Sequence, residues 1–417
     1  MSKQIIFHID VNSAFLSWEA AKRVKNGEKD LRNIPSAIGG DKEKRVGIIL
    51  AKSIPAKKMG VKTGEPIGMA LKKCPDLVFA KPDFLLYERC SKAFMDICSE
   101  YSPTVEKYSI DECFIDMSGT ENIYDDIIAV AYEIKDRIRE TLGFTVNIGV
   151  SDVKILAKMA SDFEKPDKVH TLFSDEVESK MWQLEIGSLF SMGRSTAEKL
   201  RSVGINTIGS FARLDLKTVQ ALIGEKRGLQ LWNYSRGIDD SKVEGTPEAA
   251  KGYSVSTTLE KDVESEDEAE QVLLALADSV SSRMRMDRVQ ATCIGVTVRY
   301  NNFKEKAHQK SLLEPTDITT DIFSTSKILF AEIWDKNTPI RLLGISLTGI
   351  VRDGEIQISA FNVDGEKEKA RRLDKTIDSL RSQFGNDKII RGANCNNFSN
   401  IGRKYKAQIK NSEKNKT

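Results

Sequence analysis

The sequence contains no apolar run near the roughly 18 residues that a membrane-spanning helix needs, which excludes a helical membrane protein. The opening stretch MSKQIIFHID carries one lysine, and its short apolar run is cut off by His8 and Asp10, so it is no secretory signal and a cytoplasmic location is expected. Six cysteines at positions 74, 90, 98, 113, 293 and 395 form no CxxC pair and have no histidine at zinc spacing, which argues for reduced thiols rather than disulfides or a zinc site. Net charge is only +2, so no global field marks the chain as a partner of polyanions, and local patches must carry any such argument. Internal repeats are absent.

What is present is an ordinary globular mix, 40% hydrophobic and 30% charged, over 417 residues, which is long enough for about three domains. Gln4 to Val11 alternate as a strand with Asp10 near its end, and Asn12 or Ser13 is placed to cap a helix running to Gly27. A strand ending in an acid and turning into a helix suits both a cation and a phosphate. Val46 to Ala51 reads as a strand, followed by the lysine-rich AKSIPAKKMGVKTGEP; helical patterns cover Phe84 to Tyr101 and Asn122 to Leu142. The strand FTVNIGVS comes next, then a helix expected to stop before Pro166 with Lys165 at its end. Residues Ile186 to Leu214 read as short helices broken by Gly193 and Gly204, the pattern of a helix-hairpin-helix that offers amides and basic side chains to nucleic-acid phosphates. A plain helical connector is the competing reading, because no second glycine follows Gly193. Arg236 to Lys251 is the clearest linker, and beyond it strand-like runs flank helical ones in an α+β pattern.

The chemistry concentrates in YSIDECFID, where Asp111 and Glu112 are adjacent. Read as a hairpin, the stretch puts both acids at an exposed tip rather than inside a sheet. Two carboxylates held together still repel unless a cation neutralises them, and Asp10 ends another strand. Three hard oxygen donors without histidine or cysteine select magnesium, with manganese as the alternative, over zinc. Two such ions serve phosphoryl transfer. An isolated acidic turn of this kind is otherwise a solvated loop.

HIDVNSAFLSWE, YSIDECFID, GVSDVKILAKMASDFEKP and MGRSTAEKLRSVGI occur in this order and spacing, and together they resemble the Y-family translesion DNA polymerases. IILAKSIPAKKMGVKTGEP and the DVNSAF core look closer to the UmuC branch than to the DinB branch. The resemblance implies a multidomain α+β right-hand polymerase: a palm over residues 1–20 and 78–170, small fingers over 21–77, a helix-hairpin-helix thumb over 171–236, a linker over 237–251 and a little finger over 252–356. Residues 357–417 would hold a clamp-peptide candidate, a charged helix and a basic tail. By motif position, Asp10, Asp111 and Glu112 would be the catalytic metal-binding carboxylates, with the Val11 carbonyl as a further ligand of two magnesium ions. Phe15 would be the steric gate beneath the sugar, its alternative being a core phenylalanine; Ser13, Lys57 and Lys165 would meet the nucleotide. Gly193, Arg194, Lys199 and Gly204 would contact DNA.

Two departures from the family pattern stand out. Ile54 and Lys57 occupy places where much of the family has a tyrosine and an arginine, and lysine gives up the bidentate fork on phosphate, leaving Lys52 or Lys58 to share the grip. In IQISAFN, Gln357, Ile358 and Phe361 match the short peptide with which such polymerases dock on a sliding clamp, but Ala360 stands where a larger aliphatic is usual, so weak clamp binding is expected; a final strand of the little finger is the alternative. The implied partners are primer-template DNA, deoxynucleoside triphosphates, the clamp and accessory mutagenesis proteins, the polymerase itself being a monomer. Two other readings compete. A non-catalytic adaptor would lack a carboxylate, and all three are present. A palm-type nucleotidyl cyclase, suggested by IGGD at Ile38 to Asp41, needs neither hairpin nor little finger.

Overall fold

Ile6–Val11 form β1, a strand buried along its whole length, and it is the centre from which the first part of the chain is built. The computed structural model describes residues 4–40, 47–120, 122–246, 249–352, 365–385 and 388–391. The clamp-peptide candidate Gln357, Ile358 and Phe361 and the basic tail lie outside the described residues. One compact unit runs over residues 1–40 and 48–247, and a second takes up the chain from residue 248.

In the first unit β1 leads into α1 (Ala14–Lys25), then β2 (Ser36–Gly39), β3 (Ile49–Lys52), α2 (Ile54–Lys58), α3 (Ile67–Lys73) and β4 (Val78–Ala80). Next come α4 (Phe84–Ser99), β5 (Val105–Lys107), β6 (Glu112–Asp116), α5 (Ile127–Leu142), β7 (Val146–Ser151), α6 (Lys154–Ser161) and β8 (Val169–Thr171). Strands order as β5-β6-β1-β7-β8 in one five-stranded sheet, while β3-β2-β4 make a separate small sheet with its own core around Ile49, Val61 and Ile67. The two-residue period of β1 separates its faces. Phe7, Ile9 and Val11 join the large core with α1, α4 and α5, whereas Ile6 packs on the other side with Phe114 and Ala157 of α6.

Gly149 of β7 is what lets α6 lie on that second face. A Cβ there would stand 2.0 Å from the Ala157 carbonyl oxygen and 2.4 Å from the Ser161 nitrogen, so only glycine permits this approach. Four short helices follow, α7 (Arg194–Ser202), α8 (Ile208–Ala212), α9 (Leu216–Ile223) and α10 (Glu225–Ser235), packed around Leu200, Ile208, Phe211 and Leu231. The polar stretch after them does not run free. Val243 is buried with Ile6 and Phe114, and the Glu244 amide donates to Glu106 Oε2 at 2.7 Å.

The second unit is an antiparallel sheet of β9 (Gly252–Val263), β10 (Val289–Tyr300), β11 (Glu305–Thr316) and β12 (Ile340–Arg352), in the order β11-β10-β12-β9. Against it pack α11 (Glu266–Met286) and α12 (Thr319–Ile333), sharing a core with Ile294, Val296 and Leu343. The final helix, α13 (Gly365–Phe384), docks through charge: Arg381 meets Asp278 of α11 at 2.9 Å, and Arg285 meets Asp378 at 2.6 Å.

Among the described residues, no helix is long and apolar enough to cross a membrane.

Candidate active site

The register of the five-stranded sheet sets the site. Asp10 pairs with Glu112 of β6 on one side and with Asn147 of β7 on the other, so all three side chains emerge on the α6 face. The expected exposed tip is corrected here: Glu112 is the first residue of β6 and half-buried, and Asp10 is only 9% exposed. Burial, and then the shared contact with Glu112, raises the Asp10 carboxyl above its ordinary range.

The charge is met from α6. Lys158, 6% exposed, places its Nζ 3.1 Å from Glu112 Oε1, 3.6 Å from Asp10 Oδ2 and 3.2 Å from Asp162 Oδ2. Burial alone would depress this ammonium, but Asp162, Asp10 and Glu112 outweigh it and hold it above its usual value. Lys165 donates to Asp10 Oδ1 at 2.9 Å and lies 2.8 Å from Asp162. It does not end a helix as the sequence reading had it. α6 stops at Ser161, and Lys165 sits in the loop beyond, which Asn147 fixes by donating to the carbonyls of Ser161 and Glu164 at 3.2 and 2.7 Å. Asn12 fixes the same loop, its Oδ1 accepting from the Asp167 amide at 3.0 Å. Beneath the carboxylates lies His8, fully buried, with Nδ1 2.8 Å from Ser161 Oγ.

Asp111 occupies the turn before β6. Its backbone carbonyl accepts from the Val11 amide at 3.0 Å, and its carboxylate accepts from Ser109 Oγ at 2.7 Å. Asp10 and Glu112 are therefore brought together, while Asp111 is held by its own loop. Among the described residues no three acidic, histidine or cysteine side chains stand close enough together to hold an ion as they are oriented. The donor chemistry nonetheless fits a hard divalent cation. Three carboxylates, Asp10, Glu112 and Asp162, face two ammonium groups, Lys158 and Lys165, an excess of negative charge carried wholly by oxygen.

The other sequence candidates divide. Ser13 is exposed and sits at the start of α1 with φ 50 and ψ 50, the left-handed region; its hydroxyl makes no capping bond, contrary to the cap expected there. Phe15, half-buried in the first turn of α1, stacks on Tyr87. Lys57 is exposed on α2, and Lys52 of β3 donates to Thr63 Oγ1 at 2.9 Å. In the hairpin region Gly193 precedes α7 in extended conformation and Gly204 closes its far end with φ +85. Arg194 pairs with Glu198 at 2.8 Å, and Lys199 donates to the Leu222 carbonyl, so both have intramolecular partners. Lys158, Asp162 and Asn147 are the site residues that sequence reasoning missed.

Residues 9–162 match the impB/mucB/samB family, residues 187–239 the thumb domain of DNA polymerase-iota, and residues 250–360 the impB/mucB/samB family C-terminal domain. DNA polymerase IV of Clostridium acetobutylicum is 42% identical over 94% of this chain and 98% of its own length. The chain belongs to the Y-family DNA polymerases. DNA polymerase IV 1 of Bacillus subtilis is 34% identical over 94% of this chain and 93% of its own. A solved Y-family polymerase chimera shares the fold, with a TM-score of 0.71 and 21% identity over 84% of this chain and all of that one. The multidomain α+β right-hand fold and DNA-directed DNA polymerase activity of translesion type follow for this Y-family member, with divalent metal ions, primer-template DNA and deoxynucleotides as its requirements. Whole-chain similarity runs to relatives named polymerase IV, which moves the assignment away from the UmuC branch suggested by the fingers motif.

Proposed function

We propose that Asp10, Asp111 and Glu112, with the Val11 carbonyl, hold two magnesium ions at the end of β1, and that this cluster catalyses error-prone addition of deoxynucleotides to a primer 3′-hydroxyl. When bound, the divalent ions supply the positive charge that favours attack by the hydroxyl and departure of pyrophosphate; manganese can substitute. The observation carrying this reading is the Asp10–Glu112 cross-strand pair, faced by the ammonium groups of Lys158 and Lys165. Lys165 and Lys57 contribute charge to the triphosphate, and Ser13 offers a hydroxyl at the start of α1, where the first amides lack intrahelical partners. Lysine in place of arginine at position 57 gives a point charge rather than a fork, which weakens nucleotide affinity without altering the reaction. Phe15 lies beneath the sugar and excludes a 2′-hydroxyl.

In this reading residues 1–20 and 78–170 are the palm, 21–77 the fingers, 171–236 the thumb, 237–251 the linker and 252–356 the little finger. Gly193, Arg194, Lys199 and Gly204 border the duplex backbone, with Arg194 and Lys199 exchanging their present partners for phosphate. Gln357, Ile358 and Phe361 make a weak contact with a sliding clamp, accessory mutagenesis proteins act on the same monomer, and the protein works in the cytoplasm beside its DNA. Primer extension with magnesium on an undamaged and a damaged template tests the whole. Metal-dependent extension on both is expected, and none on either would leave the adaptor reading.

A further inference from the structure

The Phe15 ring lies flat on Tyr87 of α4, with centroids 4.5 Å apart and 10° between the planes. Its other aromatic neighbours meet it at steeper angles, Trp18 at 5.9 Å and 50° and Phe84 at 6.1 Å and 75°. Tyr87 is completely buried and is itself wedged between Trp18 at 5.7 Å and Phe84 at 5.6 Å. A half-buried ring on the surface of α1 thus rests on one that cannot retreat. Interiors are close-packed, so pressure on Phe15 is transmitted to Tyr87 rather than absorbed.

The seat is a tyrosine, not a phenylalanine. Its hydroxyl is buried and has no hydrogen-bond partner among the described residues. Trp18 Nε1 and Glu19 Oε2 on α1, and Ser91 Oγ on α4, are buried in the same condition. Glu19 keeps its other oxygen on Arg23 Nε at 3.1 Å, with Lys22 Nζ 4.0 Å from Oε2. Burial, opposed by a backbone contact at Asp83 and reinforced by the Glu19 charge, holds the Tyr87 hydroxyl well above its ordinary pKa, so it stays a donor. Buried polar groups are ordinarily satisfied, by internal water where protein atoms do not serve. Phenylalanine at position 87 would provide the same ring without that requirement. The hydroxyl is thus a buried donor behind Phe15 that the ring's packing does not require.

We propose that Tyr87 is a positioning residue for sugar selection: its ring is the fixed seat that holds Phe15 against the incoming nucleotide. This rests on the reading of Phe15 as the sugar gate. A ribonucleotide is rejected because Phe15 has nowhere to move, and a softer seat lets the ring yield.

Single-nucleotide incorporation on an undamaged primer-template, with deoxy- and ribonucleoside triphosphates, tests this in the full chain for Tyr87→Leu, Tyr87→His, Tyr87→Phe and Phe15→Ala, each checked by thermal melt. Tyr87→Leu is expected to lose about tenfold in the deoxy-over-ribo ratio of kcat/KM, the change falling on ribonucleotides more than on deoxynucleotide turnover. Tyr87→His, a smaller flat ring, should lose part of the ratio, and Tyr87→Phe should keep most of it. A wild-type ratio in whichever of the leucine and histidine variants folds overturns the proposal while Phe15→Ala still relaxes selection. A wild-type ratio in Phe15→Ala strikes the gate reading itself and removes this proposal with it.

Discussion

Lys165 reaches back across the sheet end to donate to Asp10 at 2.9 Å, so the carboxylate proposed to hold a metal is already paired with a cation from a neighbouring loop. Such pairing keeps a buried acid tolerable before substrate arrives. It also means that each carboxylate does more than decorate the surface. Asp10→Ala, Asp111→Ala and Glu112→Ala should each lower nucleotide incorporation by at least about 10²–10³-fold, the scale of losing a preorganised charge in an active site. Primer-template affinity should stay nearly intact, because it rests on distributed phosphate contacts. Single-turnover incorporation beside fluorescence anisotropy separates the two, and a wild-type rate in any one variant would remove that residue from the assignment.

Lys158 offers a second test. It is the one buried ammonium in contact with Glu112, Asp10 and Asp162 together among the described residues. Lys158→Met should cost about 3 kcal/mol, because it leaves the half-buried Glu112 without its ammonium and Asp10 with Lys165 alone. A divalent ion supplies the missing charge, so the melting temperature of the variant should rise more steeply with added magnesium than that of the wild type. Equal stability and equal magnesium response would count against Lys158 as the neutralising group.

Asp10 and the Asp111-Glu112 pair were legible in the sequence because acids that break apolar strand patterns are conspicuous. Lys158 was not, since its role depends on α6 lying over Gly149, a close approach that no one-dimensional pattern records. The strand β11 escaped for a different reason. The first seven residues of its run EKAHQKSLLEPT are all exposed, as suits the edge of a sheet, and so lack the alternation that marks a half-buried strand. Pro166 marks a helix stop in the sequence and so puts Lys165 at a helix end, whereas the helix closes at Ser161 and Asn147 holds the turn that follows. The helix α13 was visible from its charge, but its docking was not, because the face it buries carries Asp374 and Arg381 rather than leucines.

That charged face gives a third prediction. Asp278 is wholly buried and takes Arg381 at 2.9 Å and Arg391 at 3.0 Å, while Arg285 reaches Asp374 at 3.2 Å. Removing one partner strands the others, so Asp278→Ala should lower stability by about 3–5 kcal/mol. Limited proteolysis should then cut within α13 first, because the helix has few apolar contacts to fall back on. Unchanged melting and unchanged cleavage would show that α13 is held by something other than this network.

His8 supplies a test by pH. The imidazole is fully buried, and burial first, then the Lys158 charge, pushes its pKa down from 6.5 to about 3. Above pH 6.5 the ring is neutral in folded and unfolded chains alike and contributes nothing to pH dependence. As pH falls below that value the unfolded chain binds a proton that the folded one refuses, and stability drops by up to about 1.4 kcal/mol per pH unit until the folded ring titrates. Asp10 acts in the opposite sense: its raised pKa means that the folded chain takes up a proton before the unfolded one, which offsets part of the loss. Comparison with His8→Gln isolates the histidine, because the neighbouring carboxylates remain in both proteins. Urea midpoints at pH 7.5, 6.5, 5.5 and 4.5 are the measurement. The wild type should lose ground to the variant steadily below about pH 6.5 and not above it. Parallel profiles would mean that His8 takes up its proton equally in both states, and that the ring is not held neutral by its position under Asp10 and Glu112.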